Sequence, residues 1–596
     1  MRITRTAPAR PVLIATLALT TAGSLLLTPQ SAGADPAPAP TRHEPALDTR
    51  AAQAPASAAR RALATEAPTS APITGYPREQ VLSPDPENPA DKSLKLGLTP
   101  YHAIAPKLNA LQALGDRVSV EVTGTSAGGH RLYLVTVTAP ETAREARAQE
   151  RMRELIENAP ATAAKSAEIK ASYKAPVYFN NNIHGNEWEG TDASLNLIEQ
   201  LATAKDKRTA DLLAHTRLYF NITANPDGRI AGTRANANGF DLNRDFVTAS
   251  QPETRAMRRI EIDKQPAVML DLHGYVNGTL IEPTTPPHGE NYEYDLFLKN
   301  TYANALGMEA AVNGLGYTPA KDGVDPAQIP FRDQQEGWDD WPPIFTPQYA
   351  AFHGTVAAHT VEIPLQVNNS AYTNLPVEEL RRRSAINTAV AGAAIRATLD
   401  FVRTHRTALV ADQIEVFRRG AAGAAQVPVS EKTVPGVPGI GPEDVYTTTF
   451  PRAYVIPAGT TAAARLVDHL LANNVQVTRA TKPFRLTGRT YPKGSYVVDM
   501  HQPKRGLANV LLADGRDISD KVSVMYDISG WSLGRLWGAE VTPVPSARLT
   551  GLPLRSVREA TAVGRVAPHG DLSLRLDDPA AIAALNSLLQ QGVPVR

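Results

Sequence analysis

His184, Glu187 and His273 are the residues of this 596-residue chain whose types and spacing best suit chemistry. His184-Gly185-Asn186-Glu187 puts an imidazole and a carboxylate into one short loop. Asp271-Leu272-His273-Gly274 supplies a second imidazole from far along the sequence. Two neutral imidazoles and one carboxylate suit a borderline-soft divalent ion. Three protein ligands leave a fourth position for water, which separates a catalytic zinc from a structural one. The spacing predicts one Zn2+ per chain and a hydrolytic reaction.

The elements that must hold these residues follow from hydrophobic patterning. Tyr101–Leu114 reads as a helix, and Val118–Val122 with Leu132–Val137 as a strand pair. Beyond a helical Ala143–Ala171, strands and helices alternate. Strands are expected at Val177–Phe179, Leu218–Ile222, Val268–Leu272 and Thr360–Ile363, and helices at Glu187–Thr203, Tyr302–Val312 and Val377–Val402. This alternation argues for an α/β domain with a mixed, largely parallel sheet and helices on both faces. Sites in such sheets form at the carboxyl ends of strands. His184, Asn225, His273 and Glu362 all stand there.

Composition narrows the class. Hydrophobic content of 42% supports sizeable cores, and a net charge of +1 gives no electrostatic case for nucleic acid. No cysteine is present, which excludes thiol chemistry and thiolate-bound zinc. Residues 1–34 read as a signal peptide: Arg2, Arg5 and Arg10, then apolar Pro11–Thr28, then Ala32-Gly33-Ala34, with cleavage expected before Asp35. Export is therefore expected, with no membrane association once the signal is removed. Residues 35–75, rich in Ala, Pro and Thr, read as a disordered linker or propeptide. Residues 76–406 form the expected catalytic domain, 407–445 a linker, and 446–596 a smaller α/β C-terminal domain. In that domain Ala453–Pro457, Thr461–Ala472 and Val475–Val477 read as a βαβ unit. Leu572–Leu576, Pro579–Gln590 and Val593–Val595 repeat it. The repeat stops at Arg596, so the chain is expected to be a C-terminally truncated piece of a longer protein.

The motifs Asn182-Ile183-His184-Gly185-Asn186-Glu187, Asn225-Pro226-Asp227-Gly228, Asp241-Leu242-Asn243-Arg244, Asp271-Leu272-His273-Gly274 and Thr360-Val361-Glu362 together resemble the zinc carboxypeptidase A superfamily, in the order found in that family. The resemblance spans roughly residues 74–406. It implies an α/β fold, zinc held by His184, Glu187 and His273, and Glu362 as general base. It further implies Arg234 at the oxyanion, Asn243 and Arg244 on the substrate's terminal carboxylate, Asp241 as the acceptor that orients His184, and Tyr349 as a substrate-capping tyrosine. Asp333, Asp339 and Asp340 lie where a specificity pocket would form, while His353 and His359 read as structural. The C-terminal stretch, with Gly494-Ser495-Tyr496-Val497-Val498 and Gly530-Trp531-Ser532-Leu533, resembles an extension of large secreted bacterial members.

The expected function is a secreted zinc metallocarboxypeptidase acting on peptide or protein C-termini. Two alternatives stand beside it: a cell-wall peptide amidase using the same zinc site, and a non-catalytic binding protein on a peptidase fold.

Overall fold

The computed structural model describes residues 81–594 apart from 283–289, 292, 334–342, 439, 442–444, 447–448, 516–531, 561–575 and 577–578. The expected signal peptide and the 35–75 linker lie outside the described residues. Helix α1 (Tyr101–Ala113) precedes the antiparallel pair β1 (Val118–Thr125) and β2 (Arg131–Val137). Helix α2 (Ala143–Asn158) follows. It ends before Pro160, so the expected single helix over Ala143–Ala171 is broken into shorter pieces.

The main sheet continues with β3 (Ala175–Asn181), β4 (Thr216–Asn221), β5 (Val268–Gly274), β6 (Leu280–Glu282) and β7 (Ala357–Ile363). Its spatial order is β1-β2-β4-β3-β5-β7-β6. The four central strands, β4-β3-β5-β7, are parallel, and antiparallel strands close both edges. Every residue of β3 and β4 is buried. Because alternate side chains point to opposite faces, burial at every position means that both faces are covered. The helices that cover them are α3 (Glu189–Thr203), α4 (Pro252–Lys264), α5 (Tyr294–Asn313), α6 (Thr346–Ala351) and α7 (Val377–Ala422). The mixed, largely parallel architecture expected from the sequence is the one present.

Helix α7 corrects one boundary. It runs 46 residues, past the expected helix end at Val402 and well into the expected 407–445 linker. Thr404 is accommodated by turning its hydroxyl back onto the Asp400 carbonyl at 2.9 Å. Beyond it, Leu409, Val410, Gln413, Ile414 and Phe417 are buried at helical spacing, so packing sustains the helix. The true stop is Gly423, in the left-handed conformation at φ 62°, where a Cβ would lie 2.1 Å from the His501 ring.

The C-terminal unit is built on a second sheet. Its strands are β8 (Ala453–Ile456), β9 (Thr478–Ala480), β12 (Tyr496–Asp499), β13 (Thr542–Val544) and β14 (Leu554–Ser556), in the order β13-β8-β12-β9-β14. A separate hairpin joins β10 (Phe484–Leu486) to β11 (Arg489–Tyr491). Helix α8 (Thr461–Ala472) links β8 to β9. The expected strand at Val475–Val477 falls three residues later, and β12 separates the two parallel strands. Helix α9 (Arg505–Leu512) follows β12, and α10 (Pro579–Gln590) occupies the expected repeat helix. Most of the repeat's flanking strands lie outside the described residues; Leu576 is a bend.

The two regions share buried polar contacts. Glu157 at the end of α2 lies 3.2 Å from the Lys504 ammonium and accepts from Asn474 Nδ2 at 2.7 Å. Both Glu157 and Lys504 are buried. Removing one partner of such a pair strands an uncompensated charge. Glu157→Ala is therefore expected to destabilise the fold by about 3–5 kcal/mol. Its exposed neighbour Glu154→Ala should shift stability by less than about 0.5 kcal/mol. Thermal and urea melts of the two variants side by side check this, and equal effects would contradict it.

Candidate active site

The first two candidate ligands sit on a loop shaped by Asn182. That residue follows β3 in the left-handed region at φ 60°, a conformation asparagine tolerates. Its side-chain amide donates to the carbonyls of His184, Gly185 and Glu187 at 2.8, 3.0 and 3.0 Å, while its oxygen accepts from the Thr223 hydroxyl at 2.8 Å. One asparagine thus sets the curvature of the whole turn. Gly185 is required by a neighbouring backbone, because a Cβ there would meet Gly228 at 2.2 Å. Asn225 locks that neighbour, accepting from Gly228 N–H at 2.9 Å and donating to the Arg234 carbonyl at 3.1 Å. Asn225, placed by sequence at a strand end, therefore shapes loops rather than facing the ligand triad.

Register supplies the rest. His273 in β5 is the direct partner of Glu362 in β7, and Asp271 of Thr360. Period-two alternation then places Asp271, His273, Thr360 and Glu362 on one face of the sheet.

The three candidate ligands converge. His184 Nδ1 lies 3.0 Å from both oxygens of Glu187 and 3.0 Å from His273 Nδ1, and His273 Nδ1 lies 3.2 Å from Glu187 Oε2. All three side chains are buried. The outer ring nitrogens face carboxylates. His273 Nε2 meets Asp271 Oδ2 at 2.8 Å, and His184 Nε2 stands 3.3 Å from Asp241 Oδ1, in poorer hydrogen-bond alignment. Arg234 Nη1 donates to His184 Nδ1 at 3.1 Å, so that nitrogen carries the lone pair. An Nε2–H directed to a carboxylate and an Nδ1 lone pair directed inward are the states a metal-binding imidazole needs. Ring nitrogens on a tetrahedral zinc, with bonds of ~2.0–2.1 Å, stand roughly 3.4 Å apart, close to the separation here. The donor set fits zinc. Burial opposes ionisation of Glu187, but His184 and His273 outweigh it and hold its carboxyl well below the usual range.

Asp271 was not singled out from sequence as an orienting acceptor. Its other oxygen accepts from Asn180 Nδ2 at 2.9 Å, and Asn180 accepts from Asn221 Nδ2 at 2.8 Å. Sequence reasoning also passed over Glu282. Its strand partner is Thr360, so it lies on the same face as Glu362. It is buried, and neither carboxylate oxygen has a hydrogen-bond partner among the described residues. Burial pushes both carboxyls up, and the closeness of Glu362 raises that of Glu282 further. The acidic residue closing the apolar pair Leu280-Ile281 was the only sequence signal.

Asp241 bonds its own loop, accepting from Asn243 N–H at 2.9 Å, and takes the Arg234 guanidinium at 2.9 Å. Burial opposes its ionisation, but His184, Arg234 and Arg244 together hold it well below the usual range. Arg234 also stands 3.6 Å from Glu187 and is partly exposed at the edge of the triad. The Arg244 guanidinium carbon stands over the Phe345 ring, 4.4 Å from its centre. Asn243 is buried, and its side-chain oxygen accepts from the N–H and hydroxyl of Thr346 at 3.0 and 2.9 Å.

Tyr349 does not cap the site. Its side chain is fully buried, and its hydroxyl donates to Asn473 Oδ1 at 2.6 Å. The ring packs between Phe246 and His353. The expectation of a substrate-capping tyrosine at this position is therefore corrected to a packed aromatic. Asp333 accepts from Ile329 N–H and pairs with Arg332. Asp339 and Asp340 lie outside the described residues. His353 and His359 are buried, with no ring-nitrogen partner among the described residues, and burial pushes both pKa values down.

Comparison with known proteins bears on this arrangement. Residues 106–341 match the zinc carboxypeptidase family model, a span that contains His184, Glu187 and His273 and ends before Glu362. A probable carboxypeptidase 2 from Arthroderma benhamiae is 32% identical over 118 residues, 20% of this chain and 22% of that protein. Carboxypeptidase D from Mus musculus is 35% identical over 134 residues, 19% of this chain and 9% of that protein. The chain thus spans less than a quarter of the length of these curated relatives. A metallo-carboxypeptidase structure from Burkholderia cenocepacia aligns at 20% identity and a TM-score of 0.35, covering 51% of this chain and 68% of that one. Residues 106–341 of this chain are thus similar to the zinc carboxypeptidase family, which implies zinc as the metal for the triad they contain.

Proposed function

We propose that this chain is an exported zinc metallocarboxypeptidase that hydrolyses the C-terminal peptide bond of peptides or proteins. The observation that carries the reading is the pairing of Glu362 with His273, which sets a half-buried carboxyl beside the triad. When bound, zinc supplies Lewis-acid chemistry and lowers the pKa of water to about 7. His184, Glu187 and His273 hold the ion, and Asp271 with Asp241 keeps the imidazoles in the tautomer that binds it. Glu362 takes the proton from the attacking water and delivers it to the leaving amine. The Arg234 guanidinium donates to the developing oxyanion. Arg244 receives the substrate's terminal carboxylate through its forked N–H groups, with the Asn243 amide beside it. Export rests on the order of charged, apolar and small residues in 1–34. Recovery of mature protein beginning at Asp35 from culture medium tests that part.

Purified protein is expected to hold about one zinc per chain, counted by elemental analysis. Asp271→Asn should weaken zinc binding by about 10–100-fold, as for other partners of metal-bound histidines. Competition with a chelator measures it, and unchanged affinity would remove Asp271 from the site.

Glu362→Gln is expected to keep its zinc while turnover falls by at least ~10²-fold. Turnover at the wild-type rate would sink the mechanism. Peptides with a free C-terminus should be cut, and their C-terminally amidated counterparts should resist. Equal cleavage of both would favour the amidase reading.

A further inference from the structure

Two short segments orient the proposed carboxylate anchors. One is the loop 241–249, which carries Asn243 and Arg244. The other is the start of α6, where Thr346 bonds Asn243 and Phe345 supports the Arg244 guanidinium. Neither segment is part of the sheet that fixes the zinc ligands. Both are instead gripped by one helix of the C-terminal unit. His469, in the last turn of α8, donates from Nε2 to the Val247 carbonyl at 2.7 Å. Asn473, the C-cap of α8, accepts from the Tyr349 hydroxyl at 2.6 Å, and its amide donates back to the His469 carbonyl at 2.8 Å. The segments also touch each other through Phe246 and Tyr349, whose ring centres are 5.3 Å apart. Phe246, Val247, Tyr349 and Asn473 are all buried, so these bonds are shielded from competing water.

We propose that the C-terminal unit is a positioning element of the substrate-carboxylate subsite, acting through His469 and Asn473. These two residues clamp the 241–249 loop and α6, and thereby orient Asn243 and Arg244. The inference rests on the reading of Asn243 and Arg244 as carboxylate anchors. Contacts that orient a binding group without touching the reacting atoms should show in KM, leaving kcat and the metal alone.

The test uses the full chain with Tyr349→Phe, which keeps the ring and deletes one hydroxyl, and His469→Ala. Each is expected to raise KM for a free-acid peptide by about 5–10-fold, on the scale of one lost buried hydrogen bond, with kcat within about twofold. Zinc content should be unchanged. His469→Gln, which keeps a side-chain N–H for Val247, should restore KM. Amide hydrogen exchange should quicken over 241–249 and 345–351 in both clamp variants and stay unchanged in β5. Unchanged exchange over those segments, or a fall in kcat at constant KM, would overturn the inference. Arg244→Ala separates the two claims. If it leaves KM unchanged, the anchor reading fails, whereas quickened exchange in the clamp variants would still establish the clamp.

Discussion

The parallel register of β3, β5 and β7 is the constraint on which the site depends. It pairs Asn180 with Asp271, and His273 with Glu362. Because side chains alternate along a strand, these pairings decide which residues face the candidate metal site. A slip of one residue in β7 would turn Glu362 away and bring forward Val361 or Ile363. Burying so many polar groups on one sheet face is costly unless each finds a partner. The chain from Asn221 through Asn180 and Asp271 to His273 supplies those partners in sequence. Glu282 and Glu362 stand outside that chain, and burial disfavours their charged forms.

The loops add what the sheet does not. The His184–Glu187 turn is shaped by the Asn182 amide and by close contact with Gly228. The proposed carboxylate anchors lie on a loop further out, braced within itself by Asp241 and Asp245. That loop and the start of α6 are also held from the C-terminal unit, across hydrogen bonds from His469 and to Asn473. Helix α7 ties the same two regions together. Phe417 packs near Gly354 and Arg419 pairs with Asp295 on the catalytic side, while Gly423 at its end lies against His501 of the C-terminal unit.

Much of the site was legible as residues because its motifs are local. His184 and Glu187 share one loop, and Asp271 and His273 share one strand face two residues apart. The alternation of strands and helices made the parallel sheet legible as well. Helix α7 was misjudged because Thr404-His405-Arg406 reads as polar punctuation, while the buried stripe that continues the helix begins only at Leu409. The βαβ reading of the C-terminal unit missed the inserted β12, since strand order is set by pairing between distant segments.

Tyr349 marks the limit. A tyrosine upstream of Glu362 is equally consistent with a mobile cap or a packed ring. Only contact with Phe246 and Asn473, both distant in sequence, decides for burial. Glu282 is similar: its character comes from pairing with β7 and the loss of solvent there. The sequence by itself determined the candidate ligand set, the proposed general base and the alternation of elements, since these are carried by residue type and short-range spacing. Tertiary structure decided which side chains are free to meet a substrate and which are used up in packing, because desolvation and partnering are properties of neighbours that the chain brings together only on folding.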